Sequence, residues 1–187
     1  MNIDHLHTPN PTGWGYMHPT KEVLDAYAWV ESKVCPRRVI EFGFHAGHST
    51  TYQLETFPGS SIVTYGVSRE TTQAAHNMKK KYGGRFTFRR QDTQTIDPLE
   101  FFPGVFDYAL VDAMHTYKNV AYEISLLLQW KVPYILFDNC ETPAVQRAID
   151  DKLTNGQLVK EFPYQGDWKG VQKPLMMKLY HVPANSF

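Results

Sequence analysis

Val39-Ile40-Glu41-Phe42-Gly43-Phe44-His45-Ala46-Gly47-His48-Ser49 is the stretch on which the fold of this chain turns. Its first four residues are a short apolar run interrupted by one carboxylate, and the run stops at Gly43. From His48 onward the spacing of apolar residues in HSTTYQLETF is helical. A strand therefore leads into a glycine turn, and a helix leaves it. Gly43 allows the chain to reverse without a side chain, and Gly47 would let a ligand approach the backbone. The N–H groups opening a helix favour an anionic or polar group such as a carboxylate. A phosphate-gripping loop needs GxxxxGK[ST], and no lysine follows Gly47. A dinucleotide fingerprint needs GxGxxG, whereas this loop is GxxxG. On spacing alone, it serves equally well as a structural turn.

Outward from this turn, strand and helix patterns alternate. Before it, residues 21–34 place Val23, Ala26, Tyr27 and Val30 at helical spacing, with Pro19 and Thr20 at the start and Pro36 beyond the end. After it come a strand at 61–67, a helix at 70–83 ending in Gly83-Gly84, and a strand at 85–90. A loop or short helix follows around 96–102. Next are strongly apolar strands at 105–113 and 132–139, each followed by a helix, at 116–130 and 142–155. Such alternation predicts a mostly parallel sheet covered by helices on both faces. The tail breaks the rhythm: residues 157–164 and 171–182 are apolar segments joined by GDWKG without a helix. They predict an antiparallel hairpin at one side of the sheet, with Pro174 near a strand start or a bulge. Seven strands result, in one domain over residues 19–187. Residues 1–18, rich in Pro, Gly, His and Asn, read as an arm or lid with Trp14, Tyr16 and His18 placed to cover a cleft.

The 187 residues suffice for one substantial core, and the balance of 19 basic and 19 acidic side chains gives no overall pull toward nucleic acid or anionic membrane. Lys79, Lys80, Lys81, Arg85, Arg89 and Arg90 could form a local patch for a macromolecular acceptor, or simply a solvated helix end. Cys35 and Cys140 lie too far apart for a CxxC pair and read as buried free thiols. There is no signal-peptide pattern and no apolar run long enough to span a bilayer, so a cytoplasmic location is expected. A homodimer is left open.

The chemistry-bearing residues cluster at two strand ends. The strand through Tyr108–Val111 runs into Asp112-Ala113-Met114-His115, and the strand through Tyr134–Phe137 runs into Asp138-Asn139. In a parallel sheet both ends open on one crevice. Asp112, Asp138 and Asn139 would bring two carboxylates and an amide oxygen together, a hard donor set suited to Mg²⁺ or another divalent cation. Each aspartate alone would as readily cap a turn. His115 is the side chain best suited to accept a proton near neutral pH, though a lone histidine is more often ordinary.

Together these motifs resemble the class I S-adenosylmethionine-dependent methyltransferases, a Rossmann-like fold. The segment VDAMHTYKNVAYEI is similar to the metal-dependent small-molecule O-methyltransferases of macrolide-sugar, cephalosporin and catechol type, over residues 38–150. The resemblance implies S-adenosylmethionine as cofactor and a hydroxylated small molecule as acceptor. By the same resemblance, Glu41, Gly43, Phe44, Gly47 and Ser49 cradle the methionine end, Glu41 orienting its amino group, and Asp92 frames the adenine. Ser68 stands where the family usually has a ribose-binding acid. Asp112, Asp138 and Asn139 are implied as metal ligands, with Asp112 and His115 catalytic and His115 the base. Hydride transfer to a nicotinamide cofactor fits the glycine spacing poorly. A non-catalytic domain binding cofactor or partner is the alternative from another class.

Overall fold

The computed structural model describes residues 20–67, 71–168 and 171–184. The expected arm at 1–18 and Ser68 lie outside them. Five helices and seven strands follow in the predicted order: α1 (Lys21–Lys33), β1 (Arg38–Phe42), α2 (His48–Thr56), β2 (Ser61–Tyr65), α3 (Thr71–Tyr82), β3 (Phe86–Arg89), β4 (Tyr108–Val111), α4 (Tyr117–Gln129), β5 (Tyr134–Phe137), α5 (Pro143–Lys152), β6 (Gln157–Trp168) and β7 (Val171–His181). One sheet holds all seven strands in the order β3-β2-β1-β4-β5-β7-β6. The first five are parallel, and β7 is antiparallel to both β5 and β6. The hairpin thus enters the sheet with its second strand innermost.

Local chemistry explains the helix boundaries. Thr20 and Thr116 cap α1 and α4 through their hydroxyls, and Pro143 opens α5. Strands alternate their side chains between two cores. Val39, Ile62, Tyr108, Leu110 and Leu136 face α1, α2 and α3, where Val23, Ala26, Tyr27 and Val30 are buried. Ile40, Phe42, Ala109, Val111, Ile135 and Phe137 face α4 and α5. On α4 the stripe Val120, Ile124 and Leu127 is buried, each side chain contributing about 1.5–3 kcal/mol relative to exposure.

Four sequence expectations needed revision. The fourth strand covers only Tyr108–Val111; just before it Asp107 donates its N–H to Arg38 O at 3.0 Å, and its carboxylate accepts the backbone N–H groups of Arg37 and Arg38 at 3.0 Å. β6 runs four residues past Tyr164, through most of the expected GDWKG connector, because it pairs residue by residue with β7 up to Trp168. Pro174 is four residues into β7, and the bulge falls instead between Leu158 and Lys160. Met176 turns its N–H and C=O toward the β5 side, to Glu141 and Cys140. Pro174, two residues away, turns the same way, beyond the last β5 pairing at Phe137↔Lys178. Its missing donor therefore costs no ladder bond. Cys140 is buried but Cys35 is exposed, and both are free thiols.

Candidate active site

The C-terminal ends of β1, β2 and β4 meet at the glycine turn, and that of β5 lies beside β4. Gly43 has φ +114°, and a Cβ placed there would lie 2.0 Å from the Asp112 carbonyl oxygen. Only glycine lets the β1 turn and the end of β4 approach this closely. The Tyr65 carbonyl fastens the turn by accepting the N–H groups of Gly43 and Phe44 at 3.0 and 2.8 Å. Asp112 N–H donates to Phe42 O at 2.8 Å, and Asp138 N–H to Val111 O at 3.1 Å. The glycine loop and both aspartates are thus locked together by strand-end hydrogen bonds, as the parallel-sheet reading required.

Four loop residues expected to touch a cofactor make contacts within the chain. Glu41 is 0% exposed. Ser49 Oγ donates to it at 2.6 Å, Gln53 Nε2 at 3.0 Å, and Thr50 also bonds to it. It braces α2 from behind, because its place in β1 points it to the α2 face with Val39. Burial pushes the Glu41 carboxyl up to about 7 despite these hydroxyl bonds. Ser49 is buried as its donor. Phe44 is turned into the core against Phe86 and Phe88, with ring centroids 5.6 and 4.9 Å apart. Gly47 has φ +81°, and the space its Cβ would take is filled by Met78 Sδ at 2.7 Å and the Phe44 ring at 2.9 Å. Packing, rather than ligand approach, requires glycine there. Asp92 is exposed just past β3 and caps the 3-10 turn Thr93–Thr95 by accepting Gln94 N–H at 3.0 Å.

The acid corner assembles from β4, β5 and the hairpin. His115 Nε2 lies 3.4 Å from Asp112 Oδ1. Burial works to lower the His115 pKa, but the Asp112 carboxylate, with the charges of Asp138 and Glu123, leaves it above its ordinary value. Asp138 is 5% exposed, and its Oδ1 accepts the Tyr164 hydroxyl at 2.7 Å. Burial, then the nearby Asp112 charge, pushes the Asp138 carboxyl up to about 7. Asn139 has φ +53°, and its Nδ2 donates to Glu141 Oε1 at 3.3 Å. Among the described residues, no three His, Cys, Asp or Glu side chains form a metal-binding group.

Two residues escaped the sequence reading. Glu123 is 0% exposed on α4, accepts the Thr93 hydroxyl at 2.6 Å, and is pushed up to about 8 mainly by burial. Its position on the stripe Val120–Ile124–Leu127 was the available signal, a charge on a buried helix face. Tyr164 had no local signal, since its partner is 26 residues away. The basic patch is largely consumed internally: Lys81 pairs with Glu55 at 2.8 Å, Lys79 donates to Phe86 O at 3.0 Å, and Arg89 pairs with Glu100. Arg85 donates to the carbonyls of Ser60, Leu54 and Phe57 at 2.7–2.8 Å.

Residues 40–140 match the family profile described as a methyltransferase domain. Solved structures with the same fold include an O-methyltransferase from Bacillus cereus in complex with SAH, 18% identical, with 91% of this chain and 84% of that one covered at a TM-score of 0.65. The SAH-bound methyltransferase PaMTH1 of Podospora anserina is 16% identical, with 96% and 85% covered at a TM-score of 0.69. The N-methyltransferase NodS of Bradyrhizobium japonicum is 13% identical, with 89% and 99% covered at a TM-score of 0.62. At these identities the likeness is one of fold. No curated protein matches the chain at a significant level. No helix among the described residues is long and apolar enough to cross a membrane.

Proposed function

The chain belongs to the methyltransferase-domain family, and we propose that it moves a methyl group from S-adenosylmethionine to a hydroxyl oxygen of a small molecule. One observation carries this reading. The Asp112–His115 pair at the end of β4 sits directly on the Gly43 turn and beside the buried Asp138 at the end of β5. A turn suited to a cofactor's polar end is thereby joined to a proton acceptor and two carboxylates.

The backbone of the Gly43–Gly47 turn and the N–H groups opening α2, rather than the side chains there, hold the methionine end of the cofactor, while Asp92 frames the adenine and Ser68 takes the ribose side. Methyl transfer is an in-line displacement, so the acceptor oxygen must be held about 3 Å from the methyl carbon. The new O–CH₃ bond forms as the carbon–sulfur bond breaks, and the electron pair of that bond stays on sulfur. The ring nitrogen of His115 that faces away from Asp112 takes the acceptor's proton, while Asp112, 3.4 Å from Nε2, fixes the imidazole and stabilises its charged form. The hard oxygens of Asp112, Asp138 and Asn139 would hold a divalent cation such as Mg²⁺. Two carboxylates and an amide oxygen at adjoining strand ends are a hard donor set of the kind such a cation takes. A bound cation would supply Lewis-acid polarisation of the acceptor hydroxyl.

The test is a screen of phenols, catechols, sugars and other hydroxylated metabolites with isotopically labelled methyl donor, with and without Mg²⁺. An O-methylated product is expected. Methylation only of nitrogen or of RNA, or SAH binding without turnover of any acceptor, would refute the assignment.

A further inference from the structure

The β6–β7 hairpin is longer than the sheet it joins. β7 pairs with β5 only from His181 to Lys178, yet it continues to pair with β6 from Met177 to Val171. Because β7 is antiparallel to β5, this extra length projects past the C-terminal end of β5, by about 20 Å at ~3.3 Å per residue. That is the end carrying Asp112, Asp138 and the Gly43 turn. The projection is anchored: Trp29 of α1 packs edge-on against Phe162 with ring centroids 5.6 Å apart, and Tyr164 and Met177 belong to the core on the α1 face.

From this projection the hairpin grips the Asp138–Glu141 corner at several points. Tyr164 Oη donates to Asp138 Oδ1 at 2.7 Å. Cys140 N–H donates to Met176 O at 2.9 Å, and Met176 N–H donates to Glu141 Oε2 at 3.0 Å. Lys173 Nζ lies 3.7 Å from Glu141 Oε1, the same oxygen that accepts Asn139 Nδ2 at 3.3 Å. Phenylalanine at position 164 would fill the core space equally well; among the described residues the hydroxyl serves Asp138. Asn139 meanwhile holds a left-handed backbone, which asparagine tolerates better than most residues.

We propose that Tyr164 is a positioning residue: from the projecting hairpin it orients Asp138, and with Glu141 and Asn139 it presets the β5 corner to receive a divalent cation. The inference rests on the cation reading given under the proposed function. Partners that orient a ligand without touching the metal typically hold 10–100-fold of its affinity.

The experiment measures Mn²⁺ affinity of the full chain saturated with SAH, by calorimetry and by the loss of free Mn²⁺ electron-spin signal, in the wild type and in Tyr164→Phe. The expected result is a 10–100-fold weaker Mn²⁺ affinity, with SAH affinity unchanged. Equal Mn²⁺ affinity in both proteins overturns the role of Tyr164 and leaves the cation reading standing. Absence of Mn²⁺ binding by the wild type overturns both. If Tyr164→Phe loses SAH binding and so fails to fold, Glu141→Gln loosens the same corner from the β7 side and is judged by the same outcomes.

Discussion

Replacing Gly43 with alanine tests the contact that joins the glycine turn to the acid corner. A Cβ at this position meets backbone: Asp112 O at 2.0 Å, Asp112 C at 2.4 Å and Ala113 N at 2.8 Å, where ordinary contact begins at 3.4 Å. Relieving it means moving the end of β4, which is tied to β1 by the bond from Asp112 N–H to Phe42 O. Overpacking of this kind costs about 1–3 kcal/mol. The φ of +114° adds strain, because it lies where only glycine is comfortable, at about 1–3 kcal/mol. Together they amount to about 4 kcal/mol, a large part of the ~5–15 kcal/mol that holds a typical domain folded. The expected fall in melting temperature is about 8–16 °C for a chain of this size. Urea denaturation at constant m-value gives the loss directly. Gly104→Ala separates the two contributions, since Gly104 has φ +80° with nothing within 4 Å of its Cβ. That variant carries the strain alone, about 1 kcal/mol. If Gly43→Ala proves no less stable than Gly104→Ala, the close approach of the two strand ends is not the constraint it is taken to be.

Stability should also fall as pH rises through neutrality. Burial raises the carboxyls of Glu41, Glu123 and Asp138 to about 7, 8 and 7 respectively, so the folded state holds protons that the unfolded chain has released. Their stabilisation is complete below the unfolded pKa values near 4 and is lost as pH rises through the folded ones. The raised His115 acts in the same direction. A urea midpoint higher at about pH 8.5 than at about pH 5.5 would show the sign to be wrong. Glu123→Gln should flatten this slope, measured by the same titrations. His115→Ala should lower turnover about 10²–10⁴-fold with SAH affinity unchanged, since the imidazole acts in the chemical step alone; turnover equal to wild type across the pH range would exclude it as the base. Removing divalent cations with a chelator should depress turnover, and added Mg²⁺ should restore it; full activity in the chelated protein would leave His115 to act unaided.

Periodicity and punctuation settled most of the fold, because they are local. The 3.6-residue stripes of α1 and α4, the apolar runs of β1, β4 and β5 and the breakers at Gly43, Gly83 and Pro143 each report their own element, and parallel connection follows from their alternation. Strand ends at Asp112 and Asp138 were legible for the same reason, since the topology alone brings them to one crevice. Side-chain employment was not local. Whether Glu41 faces a ligand or braces α2 depends on which core its strand face meets, and Ser49, Thr50 and Gln53 arrive from the next element. Gly47 looked like a place for a ligand, yet Phe44 and Met78 fill it. The length of β6, which absorbs most of a connector rich in turn residues, was set by pairing with β7. Tyr164 reached Asp138 only through that pairing. Hydrogen bonds between distant residues follow from where the packed cores place the backbone, and only tertiary structure could decide them.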